Sequence, residues 1–307
     1  MSSSTRPSVP TTRRARSTGP RPTSGPVRRS LSPHRPEPVG RRARWPWLTV
    51  AGTLLVVVIL VAVSVAGRFG PAPARAGDPA RQPAPTAVTT ALASVPAAVL
   101  AQIGVPKDVT IPQAVVGPTV PVLEGPGAKP EVLYVGAEYC PYCAAERWAL
   151  ITALSQFGTF HGLKVIHSSP GDPAGPDTPT LSFVGATYTS PWIDFVPVEL
   201  YTTDAGGGTI RPLMHLTPAE QALVHRYDGA PYTTQPGAIP FIDVANRYVQ
   251  VGAAYSPLVL SGLSQTAIAG QLGSARTPLA TTIDGSADGL VKRICSVTGD
   301  APAACQA

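Results

Sequence analysis

Val132-Leu133-Tyr134-Val135-Gly136-Ala137-Glu138-Tyr139-Cys140-Pro141-Tyr142-Cys143-Ala144-Ala145 is the stretch on which the fold turns. Its first four residues are a short apolar run of strand formers between Pro130 and Gly136, the pattern of a buried strand. Beyond the second cysteine, Trp148, Ile151, Leu154 and Phe157 recur at helical spacing. The Cys-x-x-Cys therefore falls where a strand gives way to a helix. Unsatisfied backbone N–H groups and the positive end of the helix dipole gather at such a place, and both favour a thiolate. The effect can pull a thiol from about 8.5 to roughly 3.5–7.5. Pro141, with φ already fixed, suits an early helical position. Cys140, at the entrance, is expected to attack, and Cys143, one turn inside, to resolve the mixed disulfide.

Two plainer readings compete. A Cys-x-x-Cys is also half of a zinc site, but the second half is missing: Cys295 and Cys305 are wrongly spaced and no His lies beside either pair. No metal is expected. The pair could also be a structural disulfide, which leaves its place between strand and helix unexplained.

Working outward, Leu163-Lys164-Val165-Ile166-His167 offers a second strand, giving a strand–helix–strand unit of about 35 residues. A polar loop from Pro170 leads to two alternating segments, Leu181–Val184 and Trp192–Val196. Thr217-Pro218-Ala219-Glu220 carries a capping box and starts a helix reaching about Tyr227. Ile239–Val244 and Arg247–Val251 pair naturally as a hairpin around Ala245-Asn246. Helices are predicted at Ser264–Leu272 and Pro278–Ile294, with a first one across Ala91–Ile103. The class is α/β, with an insertion between Pro170 and Leu216. Cys295 and Cys305 enclose a short loop and read as a structural staple for the last helix. The histidines show no metal spacing, and Gly206-Gly207-Gly208 is not a phosphate loop.

The amino-terminal part is of another kind. Residues 1–45 hold eleven arginines against one acid, Glu37, and almost nothing apolar, which predicts a disordered tail. That tail supplies an excess of ten positive charges, so the remainder is net −4 although the whole chain is +6. The basic balance thus gives no reason to expect nucleic acid as a partner. Leu48 to Ala66 runs 19 residues without a charge, with Trp45 and Trp47 at its entrance, so 46–67 is expected to be a transmembrane helix. A cleaved signal peptide is the competing reading, favoured by Ala72-Pro73-Ala74 and opposed by the long leader. In both cases the arginines hold the amino terminus in the cytoplasm, and the chain beyond Arg68 is extracytoplasmic. Residues 68–90 read as a Pro/Ala-rich linker, and 91–307 as the exported domain.

Gly136 to Cys143 resembles the active-site segment of thioredoxin-like proteins, with the central Pro-Tyr of glutaredoxins. The longer stretch through Ala149 is similar to the membrane-anchored family named domain of unknown function 929. So are Tyr188-Thr189-Ser190, Val198-Glu199-Leu200-Tyr201, Ile239-Pro240-Phe241-Ile242-Asp243 and Ile294-Cys295. The likeness runs from about Ala91 to Cys305. It implies a thioredoxin-like fold in which Ile239-Pro240 supplies a cis-proline facing the cysteines, with Ile239, Pro240, Pro141 and Tyr142 touching substrate. Thioredoxins place a buried Asp six residues before the first cysteine, where this chain has Tyr134, and a Trp where it has Tyr139. That departure argues for an oxidase or isomerase over a reductase. Glu138, Glu146 and Arg147 are expected to be solvated.

The expected function is a membrane-tethered thiol–disulfide oxidoreductase. Its substrates would be exported protein thiols, its regenerating partner a membrane redox protein of the quinone-linked kind, and it would need no cofactor. The alternative is a non-catalytic, membrane-anchored binding or envelope protein with two structural disulfides.

Overall fold

The computed structural model of the chain describes residues 81–117 and 120–307. The expected tail (1–45), span (46–67) and most of the expected linker lie outside those residues. Strand β1 (Gln82–Pro83) is followed by helices α1 (Thr86–Ala93) and α2 (Ala97–Ile103), then by β2 (Gln113–Ala114). Strand β3 (Glu131–Gly136) leads into helix α3 (Pro141–Leu154). Four short strands come next: β4 (Thr159–His161), β5 (Lys164–His167), β6 (Pro179–Ser182) and β7 (Thr187–Thr189). The remaining elements are β8 (Asp194–Glu199), α4 (Pro218–Tyr227), β9 (Phe241–Val244), β10 (Tyr248–Val251), α5 (Gln265–Ala269) and α6 (Pro278–Val297). Among the described residues no single helix is long and apolar enough to cross a membrane.

The principal sheet has the order β2-β10-β9-β3-β8. Strands β3 and β8 run parallel, and the other pairs are antiparallel. Alternation along β3 splits its side chains between two cores. Val132 and Tyr134 face the larger core, which holds Trp148, Ile151, Ile242, Ile283 and Leu290 from α3, β9 and α6. Leu133 and Val135 face a smaller core with Val198, Phe241, Leu223 and Tyr227, so α4 covers the opposite face. Trp148 is fully buried and donates its indole N–H to the Pro179 carbonyl at 3.0 Å.

The strand–helix–strand unit exists, but with a different second strand. Leu163–His167 contributes β5, which lies between β1 and β6 in a separate three-stranded sheet. The parallel partner of β3 is β8, so the inserted segment, residues 155–193, begins and ends earlier than the predicted Pro170–Leu216 while overlapping it. The physical reason is side-chain character. Lys-Val-Ile-His, in which only Ile166 is fully buried, suits a strand open to solvent on one side, whereas β8 holds an edge position, where Pro197 costs no ladder donor. The domain also begins before residue 91. Helices α1 and α2, broken at Pro96, replace one predicted helix, and Val88, Leu92 and Leu100 are core residues. Proline at the start of α2 cannot continue the preceding helix.

The hairpin forms as predicted, with Ala245 and Asn246 both at positive φ, the geometry a tight two-residue turn demands. Asn246 donates its backbone N–H to Asp243 Oδ1 at 2.6 Å, which fixes the turn. The capping box at Thr217 and Glu220 is present with both reciprocal hydrogen bonds. At the carboxy terminus, a Cys295–Cys305 disulfide ties α6 to the last turn, Ala303–Gln306.

Candidate active site

Cys140 is the N-cap of α3, with Pro141 at the first helical position. Its sulfur accepts the backbone N–H of Cys143 at 3.2 Å, the bond a helix entrance offers to an anion. Its thiol also lies 3.8 Å from the carbonyl of Ile239, to which it donates. The Ile239–Pro240 bond is cis, and Pro240 is buried directly before β9. Helix α3, β3 and β9 thus bring Cys140, Cys143, Pro141, Ile239 and Pro240 together. Tyr142 is 43% exposed. Tyr139 and Tyr201 meet edge to face at 6.1 Å. Cys140 and Cys143 stand here as the dithiol, while Cys295 and Cys305 are bonded to each other.

The two thiols differ in environment. Cys140 is 5% exposed and Cys143 fully buried. Hydrogen bonding from the Cys143 thiol, above all, holds the Cys140 thiol below its ordinary range, aided by the Cys143 and Tyr142 backbone and the Arg147 charge against the opposing effect of burial. Burial pushes Cys143 well above its ordinary range, with the hydrogen bond to Cys140 acting the same way. This is the asymmetry expected of an attacking and a resolving thiol.

Near the pair lie buried charges, three of which (Glu138, Glu146 and Arg147) the sequence places in solvent. Arg147 is fully buried. It donates from Nε to Glu199 Oε1 at 2.9 Å and from Nη2 to Glu199 Oε2 at 2.7 Å and the Ala137 carbonyl at 2.9 Å. Glu138 is fully buried too. Arg81 clasps it in a fork, Nε to Oε1 at 2.7 Å and Nη2 to Oε2 at 2.5 Å, while Ser182 donates its hydroxyl to Oε1 at 2.5 Å. Glu146 accepts the Ala254 N–H at 2.6 Å inside the core, and burial raises its carboxyl to about 7.

All three were expected in solvent and are buried. For Glu146 and Arg147 the cause is that nearly every residue of α3 is small or apolar, so the helix is buried on all sides and carries its charges inside; Glu138, in the turn before it, is buried against Arg81 and Ser182. That all-round apolarity was the available signal for Arg147. Glu199 carried none beyond its place in a resembling segment.

Tyr134, six residues before Cys140, is fully buried. Its ring lies 5.8 Å from the Arg147 guanidinium, and burial keeps its hydroxyl protonated far above the ordinary range. Gly136 is required here, because a Cβ at that position would meet the Tyr134 hydroxyl. Among the described residues, the donor set Cys295, Asp300 and Cys305 clusters at metal-like distances, but its two sulfurs are bonded to each other.

The family model described as domain of unknown function (DUF929) matches residues 125–210, which span β3, the Cys-x-x-Cys, α3 and β8. The chain therefore resembles that family over the segment that builds the site. No curated protein and no solved structure matches the chain.

Proposed function

We propose that this domain is a thiol–disulfide oxidoreductase on a thioredoxin-like fold, tethered to the extracytoplasmic side of a membrane and acting as oxidase or isomerase on exported proteins. The observation that carries the reading is the sulfur of Cys140 capping α3 within reach of the Ile239 carbonyl. A cysteine in that position is a stabilised thiolate beside an extended backbone that a substrate chain can pair with. The fold supports it: the order β8-β3-β9-β10, with β3 and β8 parallel, α3 following β3 in the chain and the cysteines at the amino-terminal end of α3, is the arrangement such proteins use. The membrane tether rests on the 19-residue uncharged stretch and the arginines before it.

In the oxidising direction, a substrate thiolate attacks Cys140, and the electron pair of the broken sulfur–sulfur bond leaves with Cys143. A second substrate thiolate then displaces Cys140, so the substrate loses two electrons and the pair gains them. Regeneration calls for a membrane redox partner, for which the quinone-linked class supplies the electron acceptor.

The test is the reduction potential of the Cys140–Cys143 pair, with Cys143→Ala used to trap mixed disulfides. A potential near or above about −200 mV together with trapped exported proteins is expected. A potential below about −300 mV with nothing trapped marks an inert bond and leaves the non-catalytic alternative, a stapled scaffold that binds something else.

A further inference from the structure

The proposed exchange leaves a charge problem that the fold answers in an unusual place. When the disulfide opens, a full negative charge arrives on Cys143, whose side chain has no exposure to water. An unpaired anion in such a site is costly unless a donor or a cation meets it. The position six residues before Cys140 holds Tyr134, which cannot act there as an acid–base carboxyl.

Tyr134 on β3, Tyr139 in the turn ahead of Cys140 and Arg147 on α3 interact electrostatically with the sulfurs. Behind them, Glu199 on β8 holds Arg147, and Arg81, from the segment before β1, holds Glu138. Arg147 stands out among them. It comes one helical turn after Cys143, so the two side chains share a face. Its Nη2 and the backbone N–H of Cys140 both donate to the Ala137 carbonyl, at 2.9 and 3.2 Å, which ties the guanidinium to the redox turn itself. Two buried donors remain without a partner in the dithiol state, Arg147 Nη1 and the Tyr134 hydroxyl, and both lie within electrostatic reach of the sulfurs.

We infer that Arg147 is a positioning residue for thiol exchange: its guanidinium, locked by Glu199 and the Ala137 carbonyl, receives the negative charge that reaches Cys143 when the disulfide opens. This rests on the oxidoreductase reading and deepens it. No proton is needed for the step; the charge carried in by the substrate thiolate moves to Cys143, and Arg147 is already there. Glu199 sets how strongly it acts, because it neutralises part of the same cation. The pair thus tunes how readily the disulfide accepts electrons.

The two partners should move the chemistry in opposite directions, which a merely structural role would not do. In the full-length chain, we would compare wild type with Arg147→Met and Glu199→Gln. One readout is the rate at which reduced glutathione opens the Cys140–Cys143 disulfide. The other is the Cys143 thiolate titration by ultraviolet absorbance in a Cys140→Ser background. Arg147→Met should raise the Cys143 midpoint by about one pH unit and slow the opening about threefold, because a leaving thiol of higher pKa leaves more slowly. Glu199→Gln should lower the midpoint and speed the opening.

Shifts of the same sign in both variants, or none in a folded Arg147→Met, overturn the inference. If Arg147→Met does not fold, Glu199→Gln decides alone: movement toward the thiolate supports the role of Arg147, and any other result overturns it. A wild-type pair that does not exchange with glutathione at all overturns the oxidoreductase reading, and the exchange step with it, whatever the titrations show.

Discussion

Glu138 stands two residues ahead of the attacking cysteine, and its carboxylate is fully buried and fully occupied by Arg81 and Ser182. Glu138→Ala would strip Arg81 of that fork, but the Arg81 side chain keeps 14% of its exposure and can regain water. We expect a loss of about 1–3 kcal/mol, less than the roughly 3–5 kcal/mol typical when a charge is left wholly buried. Chemical denaturation of the variant checks this; a loss below about 0.5 kcal/mol, that of an exposed pair, would show the clasp to be ornamental. At this scale the sequence was legible for the sulfurs and the proline, whose types and spacing announce their places. It was illegible for the charges. A glutamate or arginine has the same letter in water and in the core, and only the company of α3, Ala-Ala on one side and Trp-Ala-Leu-Ile on the other, hints at the interior.

Elements were legible where local chemistry decides them. Thr217-Pro218-Ala219-Glu220 specifies a helix start by itself, since two otherwise orphaned donors are satisfied by side chains three residues apart. Thr217→Ala should therefore cost about 1 kcal/mol, read as a lowered unfolding midpoint, while leaving thiol reactivity as it was. An unchanged midpoint would mean that α4 is held by Leu223 and Tyr227 against the sheet, and not by its cap. The hairpin was legible for the same reason, because its turn and its alternation lie within a dozen residues. Strand partnership was not. Whether β5 or β8 lies beside β3 depends on contacts between segments far apart in the chain, and both segments read as strands. The insertion was misplaced for this reason.

At the scale of the whole molecule, several buried acids resist ionisation in the folded state. Burial raises Glu131, Glu146 and Asp243 to about 7 and Asp284 to about 6. The native state then holds protons that the unfolded chain releases at ordinary carboxylate values, near about 4. Their contribution is complete below those values and is lost as pH rises through 6 to 7, so stability should fall across that window and level off above it. Thermal unfolding should show a midpoint several degrees higher at about pH 5 than at about pH 8. A midpoint that rises with pH across the window would contradict this.

Force offers another way to see the Arg81 clasp. Strand β1 is only two residues long, so tension on the amino-terminal side of the domain would meet the Arg81–Glu138 fork before it met any long stretch of sheet. The fork sits two residues from Cys140, which places the redox turn at the head of the load path and the core behind it. A pull from that side would load Glu138 first, two residues from Cys140 in the chain.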